Sequence, residues 1–246
     1  MIACDSVSLA ERNKDILANV TLEVKDGEFL ALTGPASSGK TSLLGIFSGR
    51  IEPLSGTRKG IDAAQCRYDR FIEPENRDER VLPFLFSSRT LGRGLMKPRE
   101  EEDSIIVSRI MDLMGLAGME ETPLRELSGS LIRRILLAHA LISPALLLCL
   151  DNPTDNLDLA GHTGFSRAVN WSLMKGNRSI VIATHDLNFA LQRCDRIGIM
   201  HEGKLVELLK PDEVTAAVIS RYFNQKVLVS KNIYNGRPEI HIFPET

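Results

Sequence analysis

Gly34-Pro35-Ala36-Ser37-Ser38-Gly39-Lys40-Thr41 fits the pattern GxxxxGK[ST], and its surroundings match that pattern's requirements. GEFLALT at 27–33 runs before it as a buried-strand pattern. SLLGIFSG at 42–49 follows it, with leucines, Ile46 and Phe47 at helical spacing. Strand, glycine loop and helix form the context in which consecutive backbone amides and a helix N-terminus surround a phosphate, provided that side chains stay out of the way. Lys40 would then reach the β- and γ-phosphates of a nucleotide, and the Thr41 hydroxyl would ligate magnesium. The candidate nucleotide-contacting residues are therefore Gly34, Pro35, Ala36, Ser37, Ser38, Gly39, Lys40, Thr41 and Ser42. The competing explanation is a glycine-rich turn that matches by accident, and the strand and helix flanks argue against it.

Working outward, the 246 residues are 43% hydrophobic with a formal net charge of −2, the balance of an ordinary globular chain with a substantial core. That charge gives no general attraction for nucleic acid, so a nucleic-acid partner is not expected. Cys4, Cys66, Cys149 and Cys194 are scattered with no CxxC spacing, which argues for reduced thiols rather than a zinc knuckle or a redox pair. MIACDSVSLAERNK lacks the basic start and apolar core of a secretory signal. The longest apolar run, Ile135 to Leu150, is short for a membrane span and contains His139, Ser143 and Pro144. A cytoplasmic chain that does not itself cross a membrane is expected.

Short strands are expected over Ile2 to Leu9, in ILANVTLEV at 16–24 and in FLALT at 29–33. PLSGTRKG at 53–60 is turn-rich, and the charged, proline-bearing stretch 66–103 is expected to form surface loops around a helix. Ser104 to Leu116 carries Ile106, Ile110, Leu113 and Met114 on one helical face. Ser128 is a plausible N-cap for a helix bearing Ile132, Ile135, Leu136 and Ala140, which Ser143-Pro144 ends. ALLLCLD at 145–151 predicts a central parallel strand. A helix around Phe165 to Met174, the strand RSIVIAT, a helix from Leu187 to Gln192, the strand RIGIM and the turn HEGK follow. Strands and helices alternate, which predicts an α/β architecture with a mostly parallel sheet.

Three segments stand downstream of the loop in fixed order: ELSGSLIRR at 126–134, LLLCLDNPTDNLD at 146–158 and VIATHDL at 181–187. With them the chain resembles the ATP-binding subunits of ABC transporters over nearly its full length; a kinase or GTPase would leave LSGSL and THD unexplained. The resemblance implies a P-loop NTPase core with an N-terminal antiparallel β region and an inserted helical subdomain: core about 1–74 and 145–215, helical subdomain about 76–144, and a C-terminal extension about 216–246. It also implies Mg2+ and ATP as cofactors. Asp151 would hold the magnesium shell and His185 would hydrogen-bond the γ-phosphate. Asp158 would lie on the loop that crosses a dimer interface, and Ser128, Gly129 and Ser130 would touch the nucleotide of the opposite subunit. The implied partners are a second ATPase chain, identical or different, and transmembrane permease subunits, which would hold the chain on the inner face of the cell membrane.

Four departures from the family pattern stand beside these matches. Asn152 occupies the position of the glutamate that polarises the attacking water, and an amide cannot accept a proton as a carboxylate can. LSGGQ has become LSGSL, through Ser130 and Leu131. The magnesium-sensing glutamine aligns with Glu75 in FIEPEN, and no aromatic residue stands near Leu9 to Glu11 to stack on adenine. Nucleotide binding is expected to be retained and hydrolysis impaired. The C-terminal segment from Pro211 onward and LGR at 91–93 resemble importers for iron-siderophores, haem and cobalamin, while a generic closing helix and strand would account for the tail equally well. The alternative to a transport subunit is a degenerate ABC protein that binds ATP as a regulatory switch without significant turnover.

Overall fold

Phe29–Thr33, Leu147–Asp151 and Ser179–Ala183 are buried at every position, as a strand covered on both faces must be. The computed structural model describes residues 1–12, 14–90, 100–174 and 178–243. In chain order the elements are β1 (Ile2–Glu11), β2 (Lys14–Val24), β3 (Phe29–Thr33), α1 (Lys40–Phe47), β4 (Ser55–Gly60), β5 (Cys66–Asp69), α2 (Val81–Thr90), α3 (Glu100–Met114), α4 (Gly129–Ile142), β6 (Leu147–Asp151), α5 (Leu159–Met174), β7 (Ser179–Ala183), α6 (Leu187–Arg193), β8 (Arg196–His201), β9 (Lys204–Leu209), α7 (Ala216–Phe223), β10 (Val227–Lys231) and β11 (Pro238–Ile242).

The central sheet has the order β5-β6-β7-β3-β8-β9. Its strands run parallel except β9, which returns antiparallel to β8 through the HEGK turn. Alternation along the strands divides the core into two layers. Leu148, Leu150, Ile180 and Ile182 face Ile135, Phe165 and Val169 of the helices. Leu147, Cys149, Val181 and Ala183 face Leu43, Leu44 and Phe47 of α1, and beyond them Val7 and Leu22 of a second, antiparallel sheet ordered β2-β1-β4. Helix α1 is thus held between two sheets, which fixes the loop that precedes it.

Two strands lie where loops were expected. SGTRKG forms β4, paired antiparallel with β1, although nearly all of it is exposed. Backbone pairing carries it, helped by Arg58, which donates to the Phe47 carbonyl at 2.8 Å, and a Cβ on Gly56 would sit 2.4 Å from the Ser6 carbonyl oxygen, so the close approach needs glycine there. CRYD forms β5, a half-buried edge strand parallel to β6. Neither stretch carries the apolar alternation that marks a strand in sequence.

Helices α3 and α5 pack on α4, and α2 packs against α4 as well. After α7, the β10–β11 hairpin docks on α6: Asn188 donates to the Ile240 carbonyl at 3.0 Å and accepts from the Ile240 amide at 2.7 Å. Among the described residues no helix is long and apolar enough to cross a membrane. The LGR stretch at 91–93 lies outside the described residues.

Candidate functional site

The sheet order β6-β7-β3 sets three C-terminal strand ends side by side, about 4.8 Å apart. Asp151 ends β6, His185 follows β7, and the Gly34 loop leaves β3 toward α1. Ligands of open parallel sheets bind in the crevice beyond these ends. Here a cleft of about 580 Å3 opens at that place. It is lined by residues 36–42, Asp151, Asn152 and His185, together with Lys14, Asp15, Ile16, Glu202 and Gly203. That volume falls in the range of nucleotide-sized ligand pockets.

The loop turns through positive φ at Gly34 (145°), Ser37 (59°) and Gly39 (96°). A Cβ on Gly34 would lie 2.0 Å from the Met200 carbonyl oxygen, and one on Gly39 would lie 2.9 Å from that of Ile16. Both contacts are to backbone, so the loop can sit this low on β8 and β2 only with glycine at the two positions. Lys40 is buried, and its ammonium group donates to the carbonyls of Gly34 at 2.9 Å and Pro35 at 2.7 Å and to the Ser38 hydroxyl at 3.2 Å. Burial lowers its pKa, while the charge of Asp151 opposes that shift. The cation is held against neutral dipoles alone, so an incoming phosphate would be its first anionic partner in direct contact.

Thr41 donates its hydroxyl to both Asp151 carboxylate oxygens, at 3.2 and 3.0 Å. A hydroxyl and a buried carboxylate side by side are hard oxygen ligands of the kind magnesium takes beside a triphosphate, so the residues present fit Mg-ATP. Two further groups reach the same carboxylate from the exit of β5. Tyr68 donates its phenol to Oδ2 at 3.1 Å, and the Arg70 guanidinium lies 3.5 Å from the same oxygen. Burial, followed by the charge of Asp151, pushes the Tyr68 phenol up to about 12.

Asn152 takes a left-handed backbone conformation, φ 51°, which asparagine tolerates better than most residues. Its amide donates to the Ala183 carbonyl at 2.8 Å, and its own carbonyl accepts from Arg133. Its side-chain oxygen is buried with no partner among the described residues, an uncommon state for a buried amide. Arg133 also lies over the Phe71 ring at 4.3 Å, so one side chain of α4 spans the loop after β5 and the Asn152 backbone.

Ser128, Gly129 and Ser130 start α4, where the Ser128 hydroxyl accepts from the Leu131 amide at 3.4 Å. Ser128 and Gly129 are exposed, and neither they nor Ser130 line the cleft. Asp158 is likewise exposed and outside it. Its carboxylate accepts from Arg134 and, at 2.7 Å, from the Gly161 amide, and these bonds lower its pKa to about 2. Glu75 is exposed on the segment beyond β5 and is not among the residues lining the cleft. Phe71 takes a left-handed backbone conformation, φ 57°, and the residues before it, Tyr68 and Arg70, approach Asp151. Tyr68, Arg70, Arg133 and Arg134 carry no motif of their own. The cue available in sequence was the Arg133-Arg134 pair one turn into the capped helix.

A parallel-sheet crevice with this loop, lysine and carboxylate defines a nucleoside-triphosphate site of the P-loop class. The family model described as ABC transporter matches residues 17–155, more than half of the chain, and the protein belongs to that family. Its fold is the ABC ATPase cassette. At a TM-score of 0.81 and 18% identity, the whole chain superimposes on 97% of a solved chain from an inward-facing putative metal-chelate type ABC transporter. Among relatives, it is 30% identical, over 94% of its length, to the uncharacterized ABC transporter ATP-binding protein YvrA of Bacillus subtilis (strain 168), of which it spans 55%. It is 26% identical, over 96% of its length, to the hemin import ATP-binding protein HmuV of Rhodococcus jostii (strain RHA1), covering 84% of that protein. The spermidine/putrescine import ATP-binding protein PotA of Spiroplasma citri is 28% identical over 85% of the chain, which spans 61% of it.

Proposed function

We propose that this chain is the ATP-binding subunit of an ABC importer, holding Mg-ATP in the cleft beyond β3, β6 and β7 and hydrolysing it slowly at its own site. The observation that carries this reading is the pairing of an intact loop, Lys40 and Thr41–Asp151 with an amide at Asn152. When bound, magnesium supplies charge neutralisation across the β- and γ-phosphate oxygens. The loop amides and Lys40 bind the phosphates, Thr41 and Asp151 hold the metal shell, and His185 donates to the γ-phosphate. Asn152 can orient a water but cannot take its proton. A positioned general base contributes about 10²–10⁴-fold, and that contribution is what the site lacks.

The exposed Ser128, Gly129 and Asp158, outside the cleft of their own chain, support a head-to-tail dimer in which each nucleotide is completed by the signature segment of a second chain. With an intact partner ATPase, the composite site that uses the partner's base would be the more active. The helices α2 to α4 would form the inserted subdomain that docks on transmembrane permease subunits, keeping the chain on the inner membrane face. A solute of the iron-siderophore, haem or cobalamin class is supported by the haem-import relative, against which the polyamine-import relative weighs. A second reading, an ATP-driven switch without significant turnover, is favoured by the joint presence of Asn152 and LSGSL. Purifying the native assembly, identifying its chains and measuring its ATP turnover separates the two: permease subunits and turnover support import, and their absence supports the switch.

A further inference from the structure

Asp151 is the most heavily engaged carboxylate of the cleft. Its side chain is 5% exposed, and Oδ2 alone faces the Thr41 hydroxyl, the Tyr68 phenol and the Arg70 guanidinium at 3.0, 3.1 and 3.5 Å. Arg70 differs from the other two in charge and position. It is 55% exposed at the mouth of β5, so it can leave without opening the core, whereas Tyr68 is half-buried with Arg50 over its ring at 5.2 Å.

A triphosphate entering this cleft meets two opposing fields. Lys40 attracts it, and Asp151, which accepts from the hydroxyl of the next residue, Thr41, repels it. Beside a carboxylate that is itself buried, such repulsion is screened less than between exposed charges. A divalent cation is one way to cancel it. An internal cation that already sits on the carboxylate is another, and Arg70 is placed for that. The register makes the placement possible: Tyr68 pairs with Cys149 and Asp69 with Leu150, so the residue after β5 arrives beside the residue that ends β6.

We propose that Arg70 is a positioning residue that stands in for the divalent cation at Asp151, with Tyr68 fixing the carboxylate's orientation, so that this chain binds ATP with a weakened requirement for Mg2+. Thr41 and Asp151 are the residues that would hold magnesium, and Arg70, being half exposed, would be free to leave Asp151 in its presence. The inference rests on the nucleotide reading of the cleft, and it assigns to the β5 exit the metal-sensing part expected of Glu75.

The test is binding of a fluorescent ATP analogue to the full chain, in saturating Mg2+ and in excess EDTA, read as the ratio of the two Kd values. A charge-assisted contact of this kind corresponds to about tenfold in affinity. Wild type is expected to lose no more than about tenfold in EDTA, and Arg70→Ala to widen the ratio by about tenfold further. Arg70→Lys should restore the wild-type ratio, because it keeps the charge. In an Asp151→Asn background Arg70→Ala should leave the ratio unchanged, a coupling that a merely structural role would not produce. Circular dichroism melts show that each variant is folded, and Arg70 is exposed enough to be replaced. Binding in Mg2+ with a ratio that Arg70→Ala does not move overturns this inference alone. No binding by wild type in either condition overturns the nucleotide reading, and the inference with it.

Discussion

Lys40 is the residue on which binding turns, because its buried ammonium is held by carbonyl and hydroxyl oxygens that a phosphate can replace at little cost. Lys40→Ala should lower affinity for Mg-ATP by at least about a hundredfold, as expected when a buried charge-assisted contact to phosphate is lost. Calorimetry on both proteins reads this directly, and equal affinities would mean that the phosphates bind elsewhere. Lys14, Asp15, Ile16 and Glu202 also line the cleft, and among the described residues that line it none carries an aromatic ring that could stack on a base, apart from the imidazole of His185. Stacking contributes about 1–3 kcal/mol in nucleic-acid sites. Competition between ATP and GTP is therefore expected to show a preference below about a hundredfold, which corresponds to about 2.7 kcal/mol; a larger preference would assign base recognition to those charged side chains.

Helix α4 concentrates much of what is coupled in this molecule. Its N-terminus carries the LSGSL stretch, Arg133 and Arg134 one turn later grip the Asn152 backbone and Asp158, and His139 lies near its end. His139 stacks on Phe84 at 4.4 Å, takes a bond from Arg67 on Nδ1 at 2.8 Å and meets the Ser87 hydroxyl through Nε2 at 3.1 Å. Burial first, and the Arg67 charge second, lower its pKa to about 3. An unfolded chain protonates this histidine near pH ~6.5, so its contribution to stability is intact above that value and declines as pH falls toward the folded-state pKa. Between about pH 7.5 and 5.5 the loss should be about 1.4 kcal/mol, and His139→Gln should lack that component. Urea unfolding of both proteins at the two pH values measures the difference; equal pH dependence would mean that His139 titrates normally in the folded chain.

The elements that were legible in sequence are those whose signals are local. GPASSGKT carries its own flanks, Ser128 is followed by a helical stripe, and ALLLCLD is apolar without interruption. Strands β4 and β5 were hidden because backbone pairing with distant residues, rather than a side-chain pattern, creates them. The same reason hid Tyr68 and Arg70: they reach Asp151 only because β5 pairs in one register with β6, eighty residues later in broad terms. Glu75 was aligned through the family resemblance; in the folded chain it is exposed beyond β5 and does not line the cleft.

At the scale of the whole molecule, the cassette fold gathers the Gly34 loop, Asp151, Asn152 and His185 at one cleft and leaves Ser128, Gly129 and Asp158 outside it. On the proposed reading this chain binds Mg-ATP well and hydrolyses it poorly, for want of a proton acceptor at Asn152. Steady-state phosphate release from matched preparations tests it most directly, with Lys40→Ala as the blank. Wild type should turn over below about 1 s⁻¹, the lower edge of the ordinary enzyme range. Asn152→Glu combined with Ser130→Gly and Leu131→Gln should gain at least about tenfold, and Asn152→Glu alone less, because a weak signature segment limits closure of the dimer. Wild-type turnover at about 1 s⁻¹ or faster, or a triple variant no faster than wild type, would contradict the claim.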